Sequence, residues 1–134
     1  MNPIPFENSY TSLPEILFTR TEPTAVKRPR LISINDDLAK KLGINLEWLH
    51  SANGIETLAG NRIAKGSEPI ATAYAGHQFG VYNPQLGDGR AILLGEVFSE
   101  KGEKFDMQLK GSGRTVYSRG GDGRSPLGPV LREY

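Results

Sequence analysis

The sequence contains no cysteine. Disulfide bridges, thiolate chemistry and cysteine-based zinc sites are therefore excluded for this chain. It also lacks the run of about 18 apolar residues that a membrane-spanning helix needs, and its first residues lack the basic and then apolar order of a secretory signal. We therefore expect a soluble, cytoplasmic protein that has no membrane partner.

Histidine is scarce, with His50 and His77 as its two occurrences. His77 has no second histidine or carboxylate at the spacing that a metal site requires, and His50, beside Trp48, is expected to pack or to lie at the surface. A metal role is not expected for either residue, and the role of His77 is left open.

The net charge of +1 has no strong sign, but the charges are unevenly placed. Residues 1–109 carry 11 basic and 13 acidic side chains, whereas residues 110–134 carry five basic and two acidic ones. A basic end is compatible with phosphate binding. Five dispersed cations are too few for a nucleic-acid surface, so no nucleic-acid partner is predicted. The basic run Lys27-Arg28-Pro29-Arg30 is assigned no function.

A length of 134 residues and a hydrophobic fraction of 37% indicate one globular domain with a packed core. Residues 1–30 are rich in proline, serine and threonine and show no apolar periodicity, which predicts an extended segment wrapped over the domain. We expect Phe6, Tyr10 and Phe18 to anchor that segment. The domain itself is assigned to residues 31–134.

Helix signals come first in this domain. Asn35 is a good N-cap residue, acids follow it, lysines come later, and Gly43 ends the pattern, so a short helix is predicted there. Residues 46–50 and 54–58 are predicted to form further helical turns. Another helix is expected to begin at Val130, after a loop over residues 111–129.

From Ile70 the pattern changes to strands separated by glycine turns, so the predicted fold class is α+β with an antiparallel sheet. Residues 99–104 form the turn of a hairpin, and residues 105–110 alternate between apolar and polar, which places Lys110 on the polar face. A turn centred near residues 101 and 102 would pair Lys110 with about Leu93.

The order of four residues along the chain matches that of the parts of a phosphate-binding lobe. These residues are Gly87, Gly89, Lys110 and Glu133. Glycines in a turn let the backbone approach a phosphate, and a lysine held by a helix glutamate can bind that phosphate. The order of glycine turn, strand, hairpin, lysine strand and glutamate helix is that of the protein-kinase nucleotide lobe. Alternatives remain for each part: glycines that only supply positive φ to a tight hairpin, a solvated lysine, and a glutamate that only pairs with the helix dipole.

Six blocks resemble the selenoprotein O family, and they extend over essentially the whole chain. The blocks are FENSY (6–10), YAGHQFG (74–80), QLGDGRA (85–91), QLKGSGRT (108–115), SRGGDGR (118–124) and LGPVLREY (127–134).

The resemblance implies a protein-kinase-like N-lobe with a glycine-rich loop and flanking helices. It also implies that ATP binds in a flipped orientation and that AMP is transferred to Ser, Thr or Tyr hydroxyls of protein substrates, with Mg or Mn. The implied ATP contacts are Gly87, Gly89, Arg90, Lys110, Asp122 and Gly123, and the implied partner of Lys110 is Glu133. Residues 120–123 would otherwise be interpreted as a flexible turn. The roles of Arg114, Arg119 and Arg124 stay open between phosphate binding and solvation.

The resemblance places the catalytic loop, the proton-accepting aspartate and the metal ligands in sequence beyond Tyr134. No catalytic or metal-binding residue is therefore expected within residues 1–134, and the chain by itself is expected to be inactive. We also expect the last helix to expose apolar surface and the isolated chain to self-associate. An ATP-dependent protein kinase and a non-catalytic nucleotide-binding module are the alternative functions.

Overall fold

The computed structural model describes residues 3–134, which form an α+β fold with a small antiparallel sheet. This confirms the predicted α+β class and the antiparallel sheet, while the protein-kinase-like lobe stays a prediction. The helices are α1 (Asp36–Lys41), α2 (Leu46–His50), α3 (Ala52–Leu58) and α4 (Leu127–Glu133). The strands are β1 (Phe18–Arg20), β2 (Ile70–Gln78), β3 (Val81–Gly87), β4 (Ala91–Phe98) and β5 (Lys104–Lys110).

Strand β2 belongs to two parts of the sheet. Its first three residues pair with β1, and Ile70 also pairs with Leu93 of β4, so that the order is β1-β2-β4-β5. Its second part pairs with β3 in a hairpin whose tip is Phe79-Gly80. Phe79 is fully exposed and has a φ of +54°, which is unusual for a residue with a side chain. The far end of this hairpin is Gly87, the last residue of β3.

The N-terminal segment packs on the sheet through its aromatic residues, as predicted. Phe18 is buried, and Tyr10 packs edge-on against it with 6.3 Å between the ring centroids. Phe6 packs against the buried residues around Val97 and Ile92. The segment also contributes β1 to the sheet, a strand that its proline-rich composition does not indicate. The division of the chain at residue 30 stays a prediction.

The helices follow their capping residues. The side chain of Asn35 accepts a hydrogen bond from the Leu38 amide, which confirms the predicted start of α1. Helix α3 begins at Ala52 because the Ser51 hydroxyl caps it. Helix α4 begins at Leu127, three residues before the predicted start. Pro129 is tolerated because it lies in the first turn, where its missing N–H has no helical partner to lose.

The predicted register of the β4–β5 hairpin is wrong by two residues. Lys110 pairs with Ala91, and Leu93 pairs with Gln108. One residue of the shift arises because the first pair across the turn is Phe98 with Lys104. The other arises from a β-bulge between Leu93 and Gly95, where Gly95 has a φ of +148°. Lys110 is therefore closer to the glycine turn than the sequence suggested, and it lies on the exposed, polar face of β5, as predicted.

The core lies between the sheet and helices α1 to α3. Its main cluster of buried residues joins the N-terminal segment, the helices and β4: Ile4, Ala39, Ile44, Leu49, Ala64 and Val97. Helix α4 lies outside it and leaves Leu127, Val130 and Leu131 exposed, in agreement with the expected apolar surface. Within residues 3–134, no helix has the length and apolarity that crossing a membrane would demand.

Glu96 is a buried carboxylate that ties the N-terminal segment to the hairpin. It is 3% exposed, forms an ion pair with Lys104, and accepts hydrogen bonds from the amide and the hydroxyl of Ser9. Burial by itself raises the pKa of Glu96, but the hydrogen bonds from Lys104 and Ser9 outweigh burial and hold that pKa below its usual value of 4.5.

We predict that Glu96 makes the fold acid-sensitive. Because its folded-state pKa is depressed, its contribution to stability is present above pH 4.5 and is lost as the pH falls through the folded-state pKa. Glu96→Gln should lower the free energy of unfolding at pH 7 by about 1–3 kcal/mol, since it weakens buried, charge-assisted hydrogen bonds. Urea unfolding at pH 7, 5 and 3 measures both effects. An equal loss of stability with acid in the parent and the variant would assign the acid sensitivity to other groups.

Candidate functional site

A cleft of about 610 Å³ lies between the turn after β3, the end of β5, the loop over residues 113–124 and the end of α4. All seven residues that the sequence analysis proposed for ATP binding or lysine pairing line it: Gly87, Gly89, Arg90, Lys110, Asp122, Gly123 and Glu133. These residues come from four separate segments, so the fold itself brings them together.

Lys110 and Glu133 form an ion pair at the cleft. Lys110 is the last residue of β5, and Glu133 is the last residue of α4, so their contact joins the sheet to this helix. The two side chains are 41% and 52% exposed, and exposed pairs of this kind contribute about 0–1 kcal/mol to stability. The pair therefore matters chiefly for where it holds the ammonium group. One of the three ammonium donors bonds to Glu133, which leaves two for a ligand.

Gly87 and Gly89 are required by packing. Among the described residues, neither belongs to the glycines with positive φ, so the tight-hairpin alternative is wrong for both. A Cβ atom at position 87 would lie within 2.7 Å of three ring carbons of Tyr117, and one at position 89 would lie 2.9 Å from the Tyr117 carbonyl oxygen. The absence of side chains at these positions makes room for Tyr117, which forms one wall of the cleft.

Asp88 fixes the turn between the two glycines. Its carboxylate accepts hydrogen bonds from the amide and the hydroxyl of Thr72, at 2.9 and 2.7 Å, while its own amide bonds to the Thr72 carbonyl. Burial raises the pKa of Tyr74 beside it, and the negative charge of Asp88 raises that pKa further. Asp88 is thus engaged with β2, and the turn that it holds presents its backbone to the cleft.

The loop over residues 113–124 is held against this turn by two hydroxyl groups. Thr115 donates to the Asp88 carbonyl at 2.5 Å, and Ser118 donates to the Gly89 carbonyl at 2.7 Å. Sequence reasoning did not assign a role to Thr115, Tyr117 or Ser118. Thr115 and Ser118 bond to residues 27 and 29 positions away, and the Tyr117 hydroxyl lies near Thr19, 98 positions away, so no local periodicity reports these contacts.

Asp122 and Gly123 lie in the part of this loop that returns towards α4. One carboxylate oxygen of Asp122 accepts from the Arg124 amide at 2.8 Å. Gly123 has a φ of +69°, and a side chain there would overlap the carbonyl of Gly113, whose amide bonds back to the Gly123 carbonyl. The segment is thus built around a close approach of two backbone strands, and the interpretation of residues 120–123 as a flexible turn does not describe Gly123.

The four arginines of this region fall into two groups. Arg114 bonds to the carbonyls of residues 120 and 121, and Arg124 bonds to those of residues 24 and 111, so both brace the loop. Arg90 and Arg119 line the cleft and are exposed. Their guanidinium groups form no hydrogen bond or ion pair with any of residues 3–134. With Lys110 they are the cations of the cleft.

The carboxylates of the cleft are already engaged by the protein. Asp88 bonds to Thr72, Asp122 to the Arg124 amide, and Glu133 to Lys110. The described part of the chain holds no group of three or more histidine, aspartate or glutamate residues that is arranged to bind a metal ion. These residues alone therefore do not fit a divalent metal. His77 pairs with Tyr82 in the β2–β3 hairpin and does not line the cleft.

We predict that position 87 must be glycine as long as residue 117 is tyrosine. Gly87→Ala should destabilise the fold by about 1–3 kcal/mol, because the added methyl group overlaps the ring. In a Tyr117→Ala background the same change should cost much less, and urea unfolding of the four proteins gives the coupling energy. Gly128→Ala is the matched control, because a Cβ atom there meets open space. Additive effects of the two changes would mean that the ring does not restrict position 87.

Comparison with known proteins gives matches over almost the whole of this chain. The family model described as "Protein adenylyltransferase SelO" matches residues 2–134. Similar curated proteins include the "Protein nucleotidyltransferase YdiU" of Nitrobacter winogradskyi, which is 60% identical over 98% of this chain and 26% of its own length. Those of Anoxybacillus flavithermus (62% identical; 96% of this chain, 27% of the relative) and Clostridium beijerinckii (59%; 96% and 26%) are similar in the same way. This chain spans about a quarter of the length of these relatives, and it belongs to the SelO family of protein adenylyltransferases.

Proposed function

We propose that this chain forms the nucleotide-binding side of a protein adenylyltransferase, which transfers AMP from ATP to Ser, Thr or Tyr hydroxyls of proteins. The observation that carries the proposal is the single cleft that gathers the glycine turn, Arg90, Lys110 and residues 122–123. Family membership supports the proposed reaction, and the lining of the cleft supports it as the proposed site for the nucleotide.

The arrangement of the cleft supports a protein-kinase-like lobe. A glycine turn precedes β4, a hairpin leads to β5, Lys110 ends β5, and Glu133 approaches it from a helix. In kinases this order places a lysine on the phosphates of ATP and a helix glutamate on the lysine. We assign Lys110 and Arg90 to the phosphate chain of ATP, since both cations face the cleft and both retain donors for a ligand.

The proposed reaction makes one bond and breaks one. An acceptor hydroxyl attacks the α-phosphorus and loses its proton to a base, while the bond from that phosphorus to the β-phosphate oxygen breaks and pyrophosphate leaves with the electron pair. Negative charge grows on the leaving group, so fixed cations beside it stabilise the transition state. This demands that ATP bind with its α-phosphate towards the acceptor, the flipped orientation that the resemblance implies. Lys110 and Arg90 would bind the β- and γ-phosphates.

Family resemblance also implies a divalent cation, Mg or Mn, which would supply further charge neutralisation. The carboxylates of residues 3–134 do not fit it, so we assign no metal ligand here. That the ligands and the proton-accepting aspartate lie in sequence beyond Tyr134 stays a prediction. The protein substrates, the cytoplasmic location and the self-association of the isolated chain also stay predictions.

The transferred group distinguishes adenylyl transfer from phosphoryl transfer. A full-length family member that contains this chain should be incubated with a protein substrate mixture and ATP labelled at either the α- or the γ-phosphate. We expect label on protein from α-labelled ATP and none from γ-labelled ATP. Label retained only from the γ-position would identify a protein kinase. Label from neither, together with tight ATP binding, would favour a non-catalytic nucleotide-binding module.

The role of Lys110 can be measured by calorimetric titration of ATP into a full-length family member that contains this chain. Lys110→Ala should weaken ATP binding about tenfold or more, because it removes a charge-assisted contact with phosphate. Glu133→Gln should weaken binding less and leave the free energy of unfolding nearly unchanged, since the ion pair is exposed. Lys101→Ala is the matched control, because Lys101 lies in the turn at the opposite end of the β4–β5 hairpin. Equal affinities for the Lys110→Ala and Lys101→Ala variants would remove Lys110 from the site.

A further inference from the structure

Arg119 stands where the cleft meets a second cavity. This cavity has a volume of about 590 Å³ and lies on the side of β1 and the β2–β3 hairpin, with Thr19, Gln78 and Gln85 in its walls. Tyr74, Gly87, Tyr117 and Arg119 line both cavities. Tyr117 and Gly87 thus form the partition, and Arg119 is the cation beside it. Among the described residues that line the second cavity, Arg119 is also the sole charged side chain.

The backbone of Arg119 is held in a conformation that an arginine disfavours. Its φ is +49°, and the next residue, Gly120, has a φ of +84°. The Gly121 amide bonds to the Ser118 carbonyl across them, which makes a tight turn with two positive φ values. Glycine, asparagine and aspartate are the residues that suit the first central position of such a turn. Glycine at position 119 would form the same turn with less backbone strain, so the turn does not explain the arginine.

The turn around Arg119 is fixed by hydrogen bonds that do not involve the Arg119 side chain. Ser118 bonds to the Gly89 carbonyl, and Arg114 bonds to the carbonyls of residues 120 and 121. The guanidinium of Arg119 has no hydrogen-bond or ion-pair partner among residues 3–134 and is exposed at the cleft. A rigid turn therefore presents an unpaired planar cation towards the space where Arg90 and Lys110 also lie.

We propose that Arg119 is a further phosphate-binding residue of the nucleotide cleft and holds the polyphosphate at the junction with the second cavity. A guanidinium matches phosphate oxygens in a bidentate way, and a turn that is already fixed loses little freedom on binding. The inference rests on the proposed function, because it requires that ATP occupy this cleft. It separates Arg119 from Arg114 and Arg124, whose guanidinium groups are consumed by backbone carbonyls.

Arg28 offers a matched control for the experiment. It is also an exposed arginine, it also has a φ of +49°, and it lines neither cavity. Arg119→Gly and Arg28→Gly therefore remove the same charge and relieve the same backbone strain. We expect both variants to be at least as stable to heat as the parent, so that weaker binding by Arg119→Gly is not a consequence of unfolding.

Calorimetric titrations of a full-length family member that contains this chain with ATP, inorganic tripolyphosphate and adenosine test the proposal. Arg119→Gly should weaken the binding of ATP and of tripolyphosphate about tenfold and leave adenosine binding unchanged, whereas Arg28→Gly should change none of them. Equal affinities of the two variants for ATP and tripolyphosphate would overturn the proposal, and so would a loss confined to adenosine. If Lys110→Ala weakens ATP binding and Arg119→Gly does not, only this inference fails. If the full-length parent binds neither ATP nor tripolyphosphate, the proposed function fails with it.

Discussion

The ring of Tyr117 lies against the backbone of Gly87, in the space that a side chain at position 87 would fill. The rest of the cleft is arranged around this contact. It brings the loop over residues 113–124 to the end of β3, where Thr115 and Ser118 bond to the carbonyls of the glycine turn. The loop in turn places Arg119 and Asp122 across from Lys110, so a wall built by packing also positions the charges.

The N-terminal segment supports this arrangement from the other side. Thr24 bonds to the Ser112 carbonyl and accepts from Arg124, and the Tyr117 hydroxyl lies 3.3 Å from the Thr19 hydroxyl oxygen. Glu96 holds the start of the same segment on β4 through Ser9. Residues distant in sequence are thereby joined into one body, and the loop that bears Arg119, Asp122 and Gly123 rests on Thr19 of β1 and on Thr24.

Local chemistry was readable from the sequence, and distant packing was not. The N-cap at Asn35 and the alternation that exposes Lys110 depend on residues a few positions apart, so their patterns were predicted correctly. The register of β5 was predicted wrongly. One residue of the error lies in the turn, and the other lies in a bulge at Gly95, which is in close contact with residues 6–8 of the N-terminal segment. Tyr117 was missed for the same reason: a tyrosine in a glycine-rich loop shows no sign of the backbone that it covers. The resemblance supplied Asp122 and Gly123, which no periodicity would have singled out.

The β2–β3 hairpin has a further consequence, which follows from where its two ends lie. Its tip presents Phe79 to solvent, and its other end is Gly87, the partition between the two cavities. Strand β3 covers the distance from the tip to this wall in seven residues, and its register against β2 shifts at a bulge between Tyr74 and Gly76. One short strand thus joins an exposed aromatic side chain to the backbone on which the Tyr117 ring rests.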